Sequence, residues 1–424
     1  MTSAHRDNVD LKKWPHIVAL AIHGGAGGTT TLDMPPDLLA AYRARLRNVL
    51  NTTYSSKHTS SLDAVCHAVS QLEDSPLFNA GKGAVFDSAG RTVCEASLMT
   101  TQPGFHSKNA AVTGVRQTKN PILLVKVLLE NNTDLGGHAF YSGNAAEKAG
   151  WKYGTEKVSK RYYYTKRRWL EHKRGIETGL FKPAKDKVES ESDAELDLPP
   201  YATTPRDVKK VEEEHEDQAI FDSYAELKDF LPQGTVGAVA LDSSGHLSVA
   251  TSTGGKTNKF PGRIGDTPSV GSGFLADSWS ASTTSSNPRF YKHIRSSGFF
   301  YLLRKIFNPR GSKTLLKGGH GEIEQGIAIS GTGDGDFFLR TNFASSIAHR
   351  IRYGNMPFEK AIRAAMDELI KSYGSKKGVG GAIVLDKEGK AFFPLAANTM
   401  NRGLISAQTG YQTKIAIFYD ESLA

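Results

Sequence analysis

Short apolar runs joined to glycine-rich blocks recur in both halves of this chain and limit what it can fold into. The run at 16–22 leads directly into the block 23–28, and the runs at 236–241 and 382–385 each continue through a turn into a second apolar run. Stretches with helical spacing separate these runs, at 36–50, 61–73, 121–130, 343–353 and 357–373. Hairpins in both halves with helices between them predict an α+β fold, with two antiparallel sheets and helical layers outside.

Two segments interrupt this pattern. Residues 155–228 carry many charges, a Pro-Pro pair and a Ser/Glu/Asp-rich run, which is typical of a partly disordered linker. Residues 278–324 are irregular and include a basic amphipathic stretch at 299–307. We expect that stretch to pack on its own domain, with contact to a membrane surface as the alternative.

The net charge of +9 invites a nucleic-acid interpretation, but the distribution of charge does not favour one. Basic stretches at 152–187 and 289–317 lie on either side of an acidic stretch at 189–217. Neighbouring blocks of opposite sign could neutralise each other or remain as solvated surface. We therefore expect no nucleic-acid partner.

The first residues contain scattered charges and no apolar core of a secretory signal. No run approaches the roughly 18 apolar residues that a membrane span requires. The sequence predicts a cytoplasmic protein.

Gly234-Thr235 stands where order returns after the charged segment. A threonine hydroxyl is a poor nucleophile unless a base takes its proton, and a chain that begins with threonine supplies its own α-amine as that base. Such an amine titrates near about 7.7–8.0, so a useful fraction is neutral at physiological pH. A Gly-Thr pair at the start of a strand is common, however, and it gains meaning only from its context.

That context is the stretch 231–273, which reads LPQGTVGAVALDSSGHLSVATSTGGKTNKFPGRIGDTPSVGSG. Together with the motifs at 22–27, 77–83, 331–336 and 380–381, it closely resembles the plant-type asparaginases (isoaspartyl peptidases), relatives of the glycosylasparaginases. The Tyr- and Arg-rich stretch 162–175 is most similar to the fungal branch. The resemblance implies the four-layer αββα sandwich of the N-terminal-nucleophile hydrolases and a precursor that cleaves itself between Gly234 and Thr235.

That cut would give an α subunit, residues 1–234 with a linker at about 155–228, and a β subunit, residues 235–424 with an insertion at about 278–324. Family members usually assemble as a dimer of such cleaved pairs. The implied reaction is hydrolysis of the side-chain amide of L-asparagine and of β-aspartyl (isoaspartyl) dipeptides to L-aspartate. It needs no organic cofactor and no catalytic metal.

The resemblance also assigns roles at the site. Thr235 would attack the amide carbonyl, and Thr253 would hydrogen-bond this nucleophile, unless it is an ordinary strand residue. Arg263 would bind the substrate α-carboxylate with its guanidinium fork, and Asp266 would bind the α-amino group. The alternative for these two is a simple ion pair across a turn.

Thr332 and Gly333 match the oxyanion site, where a hydroxyl and a backbone N–H stabilise charge that develops on the tetrahedral intermediate, and Gly333 would also contact substrate. Asn79 could reach the site, and His23 is expected to be structural. The pair Asp334 and Asp336 lacks the further ligands of a calcium loop. The residues whose backbone would hold a structural sodium ion are Leu72, Glu73, Ser75, Phe78, Ala80 and Lys82.

Three other functions remain open. A glycosylasparaginase would use the same nucleophile to release N-glycans from asparagine. A threonine aspartase-type endopeptidase would cut proteins. A non-catalytic interaction protein would use the basic insertions, and its precursor would stay intact.

Overall fold

The computed structural model describes residues 16–28, 34–56, 58–179, 208–225, 234–282, 322–374 and 379–423. The chain divides into two units, one formed by residues 1–278 with 326–424 and the other by residues 279–325. The second unit contains most of the expected insertion. Its residues 283–321, and with them the basic stretch 299–307, lie outside the described part. The same holds for residues 180–207 and 226–228 of the expected linker and for residues 229–233, which follow it.

Helices and strands alternate along the described residues. The helices are α1 (Pro36–Ser55), α2 (Ser61–Asp74), α3 (Pro121–Glu130), α4 (Gly143–Lys152), α5 (Lys166–Glu177), α6 (Val208–Ser223), α7 (Gly335–Thr341), α8 (Phe343–Arg352) and α9 (Phe358–Tyr373). The strands are β1 (Ile17–Gly27), β2 (Cys94–Thr100), β3 (Asn109–Val115), β4 (Phe140–Ser142), β5 (Val236–Asp242), β6 (Leu247–Thr253), β7 (Phe274–Ser282), β8 (Glu322–Gly333), β9 (Gly380–Asp386), β10 (Ala391–Phe392), β11 (Leu395–Ala396), β12 (Thr399–Ile405) and β13 (Lys414–Phe418).

The strands form two sheets. Within the described residues, the larger sheet has the order β13-β12-β1-β5-β6-β2-β3-β4, and the smaller one has the order β10-β9-β8-β7, with β11 also paired to β9. The pairing of β1, β5, β6 and β2 is antiparallel throughout. The register places the start of β5 beside the end of β1, and the start of β9 beside the end of β8. The glycine-rich blocks lie at these strand ends.

The larger sheet is buried on both faces. Helices α1, α2 and α3 pack on one face, where Leu20 and Ile22 of β1 join the main core. Their neighbours Ala19 and Ala21 point to the other face and pack with Phe274 and with residues of β8 and β9 in a second core. Successive residues of a strand face opposite sides, so a strand buried on both faces reads as a continuous apolar run, as β1 does from Ile17 to Ile22.

These elements confirm the predicted α+β class. Helix α1 extends five residues beyond the expected end at 50. Helix α2 begins at the expected place, because the Ser60 side chain caps it by accepting the Asp63 N–H. Between α2 and β3, Phe86 and Thr92 form only an isolated bridge, and β2 pairs with β3 and β6.

The first part of the expected linker is folded. Helix α5 lies within it, and Arg167 and Arg168 are fully buried there with Glu171, which accepts from both guanidinium groups. The ring of Phe221 in α6 lies 5.3 Å from each guanidinium carbon. These arginines contribute to the basic stretch 152–187, so part of that charge is neutralised inside the protein. Residues 155–179 therefore differ from the expected disordered linker.

In the part of the chain that the structure describes, no helix is both long and apolar enough to cross a membrane.

Candidate active site

Thr235 lies immediately before β5 and is buried, with 6% of its surface exposed. Strand β5 runs between β1 and β6 in the larger sheet, so the expected nucleophile stands at the end of a central strand. Its Oγ1 lies 3.3 Å from Oγ1 of Thr267. The hydroxyl is therefore held inside the protein by a second hydroxyl.

Gly234, the residue before the expected cut, is enclosed by the glycine-rich end of β1 and by β8. A Cβ atom placed on Gly234 would overlap with the amide nitrogen of Ala26 and with Oγ1 of Thr332, and would lie 2.8 Å from Cα of Gly25. Only glycine fits this position without displacing its neighbours. The expected cleavage junction is thus surrounded by backbone on one side and a hydroxyl on the other.

Thr253 ends β6 beside the expected nucleophile. The antiparallel register pairs Val236 with Ser252, so Thr235 and Thr253 are the next residues along the two strands. The Thr253 hydroxyl accepts the N–H of Gly255 at 2.9 Å. In the uncut chain, the contact that the structure records for the Thr235 hydroxyl is with Thr267 and not with Thr253.

Thr267 is a site residue that the sequence analysis missed. Its side chain contacts Thr235, and its backbone carbonyl accepts from the hydroxyl of Ser97 at 2.6 Å and from that of Thr251 at 3.4 Å. It is 1% exposed. A signal was available, because Thr267 directly follows Asp266 in the motif Gly-Asp-Thr-Pro, but a hydroxyl there has no distinctive spacing.

Thr332 and Gly333 end β8, where they pair with Gly381 and Gly380 of β9. Thr332 Oγ1 accepts the N–H of Ala26 at 3.2 Å. A hydroxyl that accepts one hydrogen bond can still donate its proton, as the expected oxyanion role requires.

Arg263 lies in a partly exposed group of charges. Its Nη2 is 2.7 Å from Oδ1 of Asp336, whose Oδ2 lies 3.4 Å from Nζ of Lys256. Lys256 also contacts Asp334 at 3.0 Å. The two aspartates are therefore matched by two cations of the same chain, which does not favour a calcium loop. The ion pair between Arg263 and Asp266, weighed above as the alternative, is not formed.

Asp266 is buried, and burial raises its pKa to about 7. A Cβ atom on Gly335 would overlap with Asp266 Oδ1, and one on Gly273 would lie 2.9 Å from its Oδ2. Glycines on both sides thus leave room for this carboxyl. A buried carboxylate of this kind favours a cationic group that can replace its lost hydration.

Asn79 holds the loop that follows Thr253. Its side-chain nitrogen donates to the Gly255 carbonyl at 2.7 Å, its side-chain oxygen accepts the Val85 N–H at 3.0 Å, and its own carbonyl accepts the Gly254 N–H at 2.8 Å. Both ends of the amide are engaged by backbone. Asn79 therefore positions this loop in the structure.

His23 is fully buried beneath the nucleophile strand. Its Nε2 lies 2.7 Å from Oγ of Ser330, and burial lowers its pKa to about 3. A neutral, buried imidazole that is hydrogen-bonded to a serine hydroxyl is consistent with the expected structural role.

Carbonyl oxygens lie against two glycines in and just after the expected sodium loop, residues 72–82. The carbonyl oxygen of Glu73 lies 2.5 Å from the position of a Cβ on Gly81, and that of Pro76 lies 2.5 Å from a Cβ position on Gly83. Neither glycine therefore has room for a side chain. Among the described residues, no group of three or more His, Cys, Asp or Glu side chains could hold a metal ion.

Comparisons with known proteins agree with the resemblance. A model of the asparaginase family matches residues 16–287 and 318–415, which is more than half of the chain, and the unmatched residues between them fall in the expected insertion. An isoaspartyl peptidase of Escherichia coli (strain K12) is 30% identical over 385 residues, 90% of this chain and 91% of the relative. A putative isoaspartyl peptidase/L-asparaginase of Dictyostelium discoideum is 29% identical over 91% and 92% of the two chains. An isoaspartyl peptidase/L-asparaginase of Xenopus laevis is 26% identical over 95% and 96%.

Proposed function

Because this chain belongs to the asparaginase family, we propose that it hydrolyses the side-chain amide of L-asparagine and of β-aspartyl dipeptides, releasing L-aspartate. The observation that carries the proposal is the match to relatives named isoaspartyl peptidase or L-asparaginase over most of the length of both chains. The buried Thr235 at the end of a central strand supplies a nucleophile of the required kind.

The chain first cleaves itself between Gly234 and Thr235. In support, Gly234 contacts the Thr332 hydroxyl and the backbone of residues 25 and 26. The new α-amine of Thr235 then takes the proton of its own hydroxyl, which attacks the substrate carbonyl. The C–N bond of the amide breaks, the leaving nitrogen takes that proton and departs as ammonia or as the amino acid of the dipeptide, and a β-aspartyl ester of Thr235 remains. Thr332 and Gly333 stabilise the oxyanion, typically worth roughly 3–4 kcal/mol for one such donor. Water completes the reaction by hydrolysing the β-aspartyl ester.

Substrate recognition falls to the two charged residues beyond β6. Arg263 binds the α-carboxylate, and the buried Asp266 binds the α-amino group. The substrate ammonium ion would favour the ionised form of Asp266, whose pKa burial has raised. L-Asparagine and isoaspartyl dipeptides present the same two groups, so one site serves both.

Three further features belong to this proposal. The two sheets and their helices form a four-layer αββα sandwich, supported by one core between α1–α3 and the larger sheet and another between the sheets. The carbonyls of loop 72–82 hold a structural sodium ion, supported by the carbonyl oxygens that lie against Gly81 and Gly83. The cleaved α and β subunits pair, and two pairs form a dimer.

Intact-mass analysis combined with an assay of L-aspartate release, the product common to both substrates, tests the proposal. Wild type is expected to give two fragments that meet at Gly234-Thr235 and to hydrolyse L-asparagine and β-aspartyl dipeptides. Thr235→Ala is expected to remain one inert polypeptide, whereas Thr178→Ala, at the exposed end of α5, matches wild type. Full hydrolytic activity in protein whose backbone stays intact at this junction would disprove the proposal.

A further inference from the structure

Glu95 is a buried acid that lies behind the substrate loop, here residues 263–266, and has no role in the reaction described above. It is 3% exposed. Its two carboxylate oxygens share the N–H of Gly265, at 3.2 Å for Oε1 and 3.1 Å for Oε2. Gly265 lies in the substrate loop between Arg263 and Asp266. The hydrogen bond from its N–H to Glu95 therefore holds the middle of the loop.

The same carboxylate lies beside the Arg263 guanidinium. A Cβ atom on Gly265 would lie 3.1 Å from Glu95 Oε2 and 2.9 Å from Arg263 Nη1, so both groups flank one point. The other side of the guanidinium is paired through Nη2 with Asp336. Arg263 is therefore ion-paired with a partly exposed carboxylate on α7 and has a second, buried carboxylate nearby on the sheet.

Glu95 is also fixed relative to the nucleophile. It lies in β2 directly opposite Thr253 of β6, and Thr253 is level with Thr235 across the next strand pair. A residue in the middle of a hydrogen-bonded sheet is held more firmly than a loop residue. Glu95 thus joins the rigid strands that carry the reacting group to the loop that carries the substrate-binding groups.

Opposing effects act on the pKa of the Glu95 carboxyl. Burial is the largest of them and raises the pKa overall, while the Gly265 N–H and then the cations Arg263 and Lys259 lower it in part, and Asp336 raises it. Lys259 is itself buried, and its Nζ donates to the Gly254 carbonyl at 2.6 Å. A buried carboxylate with two nearby cations and one N–H is a fixed anchor for the loop.

We propose that Glu95 is a positioning residue that holds the substrate loop so that Arg263 and Asp266 meet the α-carboxylate and α-amino group of the substrate. The inference rests on the proposed function, because it concerns the same site. It predicts that loss of the Glu95 charge weakens recognition of the α-groups and leaves the nucleophile intact.

The test compares Glu95→Gln and Glu95→Asp with wild type and with Asp242→Asn. Asp242 is a matched control, because it is a buried acid that accepts backbone N–H groups at the opposite end of β5. In Glu95→Gln an amide nitrogen replaces one carboxylate oxygen. This nitrogen is a hydrogen-bond donor, and it would face two other donors, the Gly265 N–H and the Arg263 guanidinium. We expect KM for L-asparagine and the inhibition constant of L-aspartate to rise together by about tenfold, with kcat within about threefold of wild type.

The other variants complete the design. Glu95→Asp keeps the charge and is expected to restore part of the affinity, and Asp242→Asn is expected to match wild type in both constants. Intact mass shows whether each variant has matured. If Glu95→Gln lowers kcat but leaves KM and the inhibition constant unchanged, the inference is wrong.

If Glu95→Gln does not accumulate as folded protein, the same measurements on Glu95→Asp test the inference. An unchanged KM and inhibition constant in Glu95→Asp would then contradict the positioning role of Glu95. Failure of wild type to hydrolyse L-asparagine in this assay would instead contradict the proposed function, so the two failures are distinguishable.

Discussion

Gly234 and Thr332 are in direct contact across the expected cleavage junction. A Cβ atom on Gly234 would overlap with Oγ1 of Thr332, which in turn accepts the Ala26 N–H at 3.2 Å. The residue before the cut therefore rests against the hydroxyl that is expected to stabilise the oxyanion. The cleavage junction and the later hydrolytic site share this group.

Gly234→Ala is expected to slow self-cleavage by at least about tenfold, because its methyl group must displace Thr332 or the backbone of Ala26. Time-resolved intact-mass analysis after synthesis measures the remaining precursor. Gly28→Ala is a matched control, since a Cβ atom there meets nothing within 4 Å. Cleavage of Gly234→Ala at the wild-type rate would show that this close packing is not required.

Thr267→Val should also delay self-cleavage, by about five- to thirtyfold, which corresponds to the loss of one hydrogen bond of roughly 1–2 kcal/mol. Valine keeps the size of the side chain and removes only the hydroxyl that lies 3.3 Å from Thr235 Oγ1. The backbone carbonyl that holds Ser97 and Thr251 remains. The rate is read from the appearance of the two fragments.

Thr253→Val distinguishes the two threonines that neighbour the nucleophile. Its hydroxyl is engaged by the Gly255 N–H in the uncut chain, so we expect this variant to cleave faster than Thr267→Val. In mature enzyme, with its free terminus, Thr253→Val is expected to lower kcat. The opposite order of cleavage rates would mean that Thr253 already activates Thr235 before the cut.

The sequence predicted the nucleophile region closely because its pattern is local. Strand β5 is expected at 236–241 and is found at 236–242, and the second apolar run expected after the turn is β6. Apolar alternation and a Ser-Ser-Gly turn are sufficient to define such a hairpin.

The roles of Thr267 and Glu95 could not be predicted, because they depend on contacts between distant segments. Glu95 faces Thr253 only through the pairing of β2 with β6, whose register no local pattern specifies.

Helix α5 was missed for a different reason. Its buried face includes Arg167, Arg168 and Glu171, which form ion pairs with one another, so the helix lacks the apolar periodicity that marks a packed helix. Charged residues in a sequence indicate solvent exposure, but in α5 their mutual pairing allows them to be buried.

Substrate binding is expected to weaken below about pH 7. Burial raises the pKa of Asp266 to about 7, so at lower pH the carboxyl of the free site becomes protonated and loses its attraction for the substrate ammonium group. The inhibition constant of L-aspartate should therefore rise as pH falls from 8 to about 5.5. Asp266→Asn is expected to bind weakly with a flat pH dependence over this range, and an equally steep dependence in that variant would assign the titration to another group.

Glu171→Gln is expected to destabilise the protein by about 3–5 kcal/mol, because it leaves the two fully buried guanidinium groups of Arg167 and Arg168 without their shared carboxylate. Arg168 also donates to the Gly83 carbonyl at 3.0 Å, so the loss should extend to the expected sodium loop. Denaturant unfolding measures the difference, and Glu177→Gln, at the exposed end of the same helix, serves as the control. Equal stability of the two variants would show that helix α5 is held by its apolar contacts with Phe221 and its neighbours, and that the buried charges contribute little to its docking.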